Sequence, residues 1–179
     1  MDNIFKQSMG ETHSVFKWEN LGEINTGRGE LGDEMPVLIY RLMQFTMLDV
    51  LNKEFGAEKA NILFRDAGYL AGSEFARATL DLNADLDSFV ANLQAALEEQ
   101  KIGILRMEAF DAATGNLTLT VSEDLDCSGL PVTGETVCTY DEGFLAGILF
   151  AYTGKNYDVR EIDCWANGDR TCRFNGVVV

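Results

Sequence analysis

The stretch Ile102–Glu123, IGILRMEAFDAATGNLTLTVSE, decides the fold class. Its second half alternates Leu117, Leu119 and Val121 with Thr118, Thr120 and Ser122, the period of two that marks a strand buried on one face. Ile102–Phe110 is apolar enough to pair with it. Between them, Asp111–Asn116 carries turn-forming residues with Gly115 near its end, so the segment reads as an antiparallel hairpin.

Outward from this hairpin the period changes. Upstream lie three helical segments. In the first, Asp33 reads as the cap, Pro36 sits in the first turn, and the helix runs to Phe55. The second spans Ala57–Leu80, where Ala60, Ala67, Gly68, Ala71 and Gly72 leave room for a close neighbour. The third spans Asp85–Gln100, with Phe89, Leu93, Ala96 and Leu97 on one stripe. Downstream, Thr139-Tyr-Asp-Glu142 reads as a capping box opening a helix that ends at Gly154. Asn156–Trp165 and Arg170–Val179 then flank Ala166–Asp169 as a second hairpin. Helices first, then two hairpins with a helix between them, make an α+β domain: four or so helices packed on an antiparallel sheet. Residues 1–20 read as an N-terminal segment, with a short strand near Ser14–Trp18, and residues 21–179 as a single domain.

The helix at 36–55 is apolar around most of its circumference, including Leu38, Leu42, Met43, Met47 and Val50. Such a helix is buried in a core or in a subunit interface, and a homodimer through it is expected.

The chain has 179 residues with 29 Asp+Glu against 14 Lys+Arg, a formal charge of −15. That balance argues against binding nucleic acid or anionic lipid, both of which need a positive surface. The N-terminus lacks the basic start and apolar run of a secretory signal. The longest apolar stretch, Gly143–Tyr152, is about half of the ~20 residues a membrane span needs, so a cytoplasmic protein is expected. A GxGxxG occurs at Gly27, Gly29 and Gly32, but Glu30, Asp33 and Glu34 would repel a pyrophosphate, and the motif reads as a loop.

All four cysteines, Cys127, Cys138, Cys164 and Cys172, fall in the last third of the chain. In a reducing compartment such clustering points to a metal before a disulfide framework. Cys164 and Cys172 face each other across the last hairpin if its loop is Asn167–Asp169, and Cys138 precedes a helix N-terminus that favours thiolate. Cys127, Glu161, Asp163 or water can supply a fourth ligand. Buried free thiols and a Cys164–Cys172 disulfide are the competing readings. Zinc suits thiolates with one carboxylate in a closed four-coordinate site.

The segment from Cys138 through Glu161-Ile-Asp-Cys164 to Gly168-Asp-Arg-Thr-Cys172-Arg-Phe174 resembles the 4-vinyl-reductase domain, over a region of about 115–177. Upstream, Gly22–Asn25, Arg28–Gly32 and Met35–Met43 resemble the sensor region of bacterial activators of aromatic catabolism. The resemblance implies a structural zinc held by three cysteines and a glutamate, which match Cys138, Glu161, Cys164 and Cys172 and leave Cys127 as a small apolar loop residue. It further implies the ligand-binding fold shared by NO-signalling and Golgi-transport proteins, which dimerise. Glu161 and Cys164, three apart, point to opposite faces of a regular strand, so this ligand set requires a bulge between them.

A closed site leaves no open position for substrate, so the zinc reads as structural. The one histidine, His13, reads as a solvated surface residue, and no nucleophile or phosphate-binding motif is present. The expected function is binding of a hydrophobic or aromatic small molecule by a stand-alone sensor or carrier. Phe144, Ile148 and Tyr152, at helical spacing, with Leu117 and Met107 from the first hairpin, are the candidate pocket residues. A reductase or accessory protein acting on a tetrapyrrole vinyl group, and a ligand-free interaction module, are the alternatives.

Overall fold

The computed structural model describes residues 16–179, so His13 and the start of the strand expected at Ser14–Trp18 lie outside it. By its contacts the chain divides into two units, Met1–Glu34 and Met35–Val179. In the first, Trp18–Leu21 forms a 3-10 turn where the end of that strand was expected, and α1 (Ile24–Gly27) is a single helical turn. The glycine motif closes on itself. Arg28 Nε donates to the Gly32 carbonyl at 2.7 Å, and Gly32 takes a φ of 71°, so the segment is a local turn.

The second unit contains α2 (Val37–Phe55), α3 (Ala57–Thr79), α4 (Leu86–Glu99), β1 (Ile104–Phe110), β2 (Leu117–Ser122), α5 (Thr139–Thr153), β3 (Tyr157–Asp163) and β4 (Cys172–Val178). The strands form one antiparallel sheet in the order β1-β2-β4-β3. The two hairpins meet through β2 and β4, where Leu117 pairs with Gly176 and Val121 with Cys172. β1 and β3 are the edges. Asp85 caps α4 by accepting from the Ser88 amide at 3.0 Å. The cap expected of Asp33 is not formed, because α2 starts later, with Pro36 at its N-cap.

α5 is the centre of this unit, with every residue from Glu142 to Leu149 buried. It packs against α3 on one side and β3 on the other, while α4 covers β1. The α3–α5 contact depends on four glycines. A Cβ at Gly68 would lie 2.1 Å from the Tyr140 carbonyl oxygen, and one at Gly72 would lie 2.0 Å from that of Phe144. From the other helix, Cβ atoms at Gly143 and Gly147 would meet the carbonyls of Arg65 and Tyr69 at 2.0 and 2.1 Å. The two backbones therefore touch directly. The close approach expected of Gly68 and Gly72 is the principal helix contact of the fold.

α2 behaves differently. Its one buried residue is Gln44, and polar groups tie it down: Tyr40 and Gln44 donate to Asp126 at 2.8 and 2.6 Å, and Arg41 Nε donates to the Leu125 carbonyl at 2.7 Å. Leu38, Leu42, Met43 and Met47 are between 52 and 74% exposed. The helix is thus outside this chain's own core. Among the described residues, no helix is long and apolar enough to cross a membrane.

Candidate metal centre and apolar cavity

Four segments deliver sulfur to one point. Cys127 follows β2 in a tight turn built by Asp124, whose Oδ1 accepts from the amides of Asp126 and Cys127 at 2.9 and 3.0 Å. Cys138 immediately precedes α5, Cys164 follows β3, and Cys172 opens β4. All four are free and buried, none more than 1% exposed. The Cys138 Sγ lies 3.8 Å from that of Cys164 and 3.9 Å from that of Cys172, and the Cys127 and Cys172 sulfurs are 3.1 Å apart.

Glu161 joins them from β3. Its Oε2 accepts from the Cys138 amide at 3.0 Å, while its Oε1 is buried without a partner. The ladder between β3 and β4 shifts register between Glu161 and Asp163, so a bulge falls between Glu161 and Cys164. One donor atom from each of Cys127, Cys138, Glu161, Cys164 and Cys172 lies within 4.8 Å of all the others. Asp163, another candidate fourth ligand, pairs instead with Arg173.

The donor chemistry fits a four-coordinate thiophilic ion. Zn–S bonds of about 2.3 Å in a tetrahedron set sulfurs roughly 3.8 Å apart, the spacing of Cys138 from Cys164 and Cys172. The unpartnered, buried Glu161 oxygen is a lone pair available to such an ion. As bare groups these residues share protons unequally. Hydrogen bonds from Cys127, Cys138 and Cys172 hold the Cys164 thiol pKa low, whereas hydrogen bonding, led by Cys127, pushes those of Cys138 and Cys172 up. Burial raises the Glu161 carboxyl to about 8.

Three sequence readings change here. Cys127 is inside the cluster instead of being a bystander in a loop. The Thr139 capping box does not form: Cys138 is the N-cap, and Glu142 pairs with Arg65 and accepts from the Glu161 amide at 2.9 Å. The last hairpin turns through a 3-10 segment, Trp165–Asn167, instead of a three-residue loop, and the Asp169 amide donates back to the Cys164 carbonyl at 3.0 Å.

Reading the sequence also missed a set of buried acids beside the sulfurs. Burial, then the Asp126 charge, raises Asp124 to about 6 and holds Asp141 well above the usual carboxylate range. Burial raises Asp126 as well, against the hydrogen bonds it accepts from Tyr40 and Gln44. The D-x-D spacing of Asp124 and Asp126 was the available signal.

A cavity of about 300 Å³ opens between α4, the end of α5 and the first hairpin. Met107, Leu117 and Tyr152 line it, as expected, together with Phe89, Leu93 and Leu149. Phe144 and Ile148 do not. Phe144 packs against Phe75 at a ring separation of 5.4 Å, and Ile148 is fully enclosed in the core. The Tyr152 ring stacks on Phe89 at 3.7 Å, and its hydroxyl donates to the Ala84 carbonyl at 3.0 Å.

Residues 117–177 match the vinyl-4-reductase (V-4-R) domain. The matched region contains all four cysteines and Glu161, and the cavity straddles its N-terminal boundary. The phenol-responsive sensory domain of the transcription activator PoxR, solved with phenol, has a TM-score of 0.66 and 18% identity, covering 82% of this chain and 76% of that one. A vinyl-4-reductase family protein from Methanocaldococcus jannaschii has a TM-score of 0.61 and 14% identity, covering 96% of this chain and 99% of that one. Trafficking protein particle complex subunit 3 from Naegleria fowleri, covalently bound to palmitic acid, has a TM-score of 0.63 and 10% identity, covering 80% and 95%. The fold expected from the family resemblance is the fold observed.

Proposed function

We propose that this chain is a zinc-stabilised domain that binds a small hydrophobic or aromatic molecule and works as a sensor or carrier. The cavity carries the reading. Its walls are mostly leucine, phenylalanine and methionine, it is about 300 Å³ in volume, and two tyrosines lend polar atoms at its margin. The likeness to a sensory domain solved with phenol supports binding as the role of this fold here. Zinc would be held by Cys138, Glu161, Cys164 and Cys172, closing the ends of β3 and β4 onto the start of α5. Buried free thiols belong in a reducing compartment, which favours the cytoplasm.

The exposed apolar residues of α2 favour a homodimer. Eight large apolar side chains on that helix are more than 40% exposed, a patch that monomeric proteins seldom leave uncovered.

Native mass spectrometry of protein purified from its own host tests the reading in one measurement. The expected result is about one zinc per chain and a retained apolar small molecule. Metal-free protein that melts unchanged in the presence of chelator would remove the zinc. Failure of every small apolar or aromatic probe to bind would remove the ligand role.

A further inference from the structure

The cavity wall says more about its ligand than that it is apolar. Sixteen residues line it, and among them the one ionisable acid or base besides the two tyrosines is Lys155. This chain has 29 acids and 14 bases, yet its cavity carries a single cation and no carboxylate. The lysine is placed there by the chain. Gly154 ends α5 in the left-handed conformation at φ 70°, and the Lys155 amide then donates to Thr153 Oγ1 at 3.1 Å. A Cβ built on Gly115 across the mouth would lie 3.9 Å from Lys155 Nζ and 3.5 Å from the Tyr157 hydroxyl. The Tyr157 hydroxyl donates to the Gly115 carbonyl at 3.1 Å, which fixes that side of the opening.

The ammonium forms no ion pair with any described residue. Asp85 and Asp111, acids on segments bordering the cavity, are engaged locally: Asp85 accepts from Ser88, and Asp111 from the Ala113 amide and the Thr114 hydroxyl. A lysine just past a helix end also complements the helix dipole. That accounts for a cation near Gly154, but not for its place in the wall of an otherwise uncharged cavity.

We propose that the ligand is an apolar monocarboxylate, its hydrocarbon or aryl body in the cavity and its carboxylate at Lys155 Nζ. This rests on the binding reading above and adds the chemistry of the head group. The exposed residues Phe110, Ala112, Thr153 and Lys155 form the mouth, and buried Leu93, Leu105, Leu117 and Leu119 form the floor, so the body enters first and the head stays at the rim. At the ~30 Å³ occupied by one water, the cavity holds about ten non-hydrogen atoms, the size of octanoate or 4-methylbenzoate.

Calorimetric titration of the full chain with octanoate and with octan-1-ol separates this from a plain greasy pocket. Without a cation, the alcohol binds better, because bringing a carboxylate to an apolar wall is costly. The expected result is octanoate several-fold tighter than octanol in the native chain. Lys155→Met should reverse the order while changing octanol affinity little, and Lys155→Arg should keep octanoate ahead. Octanol binding as tightly as octanoate, or a preference unchanged in Lys155→Met, overturns the carboxylate assignment and leaves the cavity reading standing. Binding of neither probe overturns both.

Discussion

Five donors converge where zinc takes four, and residue geometry separates them. Cys138, Cys164 and Cys172 show the sulfur spacing of a tetrahedral edge, whereas Cys127 sits closer to Cys172 than any such edge allows. Its role is better cast as a thiol donating S–H to the Cys172 sulfur, moderating a ligand without being one. Glu161 has the complementary property of a buried oxygen with nothing bound to it. Glu161→Gln keeps an acceptor for the Cys138 amide but supplies no anionic oxygen, so zinc content after dialysis against a weak chelator should fall. Cys127→Ser should retain about one zinc per chain, and the reverse ranking would assign the site to four thiolates. The grouping of the cysteines was legible in the sequence, because their asymmetry needs no tertiary information. The place of Cys127 was not, since residues 124–137 have no periodicity to show where the loop returns. Glu142 was misread for a related reason: its local pattern fits a capping box, but a half-buried arginine on another helix outcompetes the cap.

At the scale of elements, α3 and α5 define the fold by how closely their backbones meet. Gly72→Ala places a methyl 2.0 Å from the Phe144 carbonyl oxygen, a distance no rotamer change relieves because the obstacle is backbone. The helices must move apart, and overpacking of this kind costs on the order of 1–3 kcal/mol. Denaturant melts of Gly72→Ala should show that loss. Ala71→Ser, on the same helix but at a position without this contact, serves as the control and should melt close to the native chain. An undiminished midpoint for Gly72→Ala would mean the two helices are looser than the structure has them. The small residues of α3 were readable as a packing signal, though not the helix they receive. The bulge between Glu161 and Asp163 had no sequence signature, and only the assumed ligand set required it. The cavity shows the same limit. Helical spacing grouped Phe144, Ile148 and Tyr152, but α3 covers the first two and only the last turn of α5 reaches the opening.

For the whole molecule, an apolar helix facing outward is set against a net charge of −15. Sequence pattern alone reads α2 and α5 alike, as apolar helices, yet one is the core and the other is not. Composition cannot tell a helix buried by its own chain from one buried by a second copy. If α2 packs on α2 of a second copy, burial of Leu38, Leu42, Met43 and Met47 drives association, while fifteen excess negative charges on each copy oppose it. Salt screens the second effect and leaves the first intact, since the Debye length falls from about 30 Å at 0.01 M to about 10 Å at 0.1 M. Sedimentation of the native chain should therefore show a dimer that tightens as salt rises over that range. Leu42→Glu should sediment as a monomer at every salt concentration while keeping its metal, because the substitution lies on the exposed side of α2 and not among the sulfurs. A dimer that loosens with salt would point to ion pairs as its cement and would move the interface away from α2.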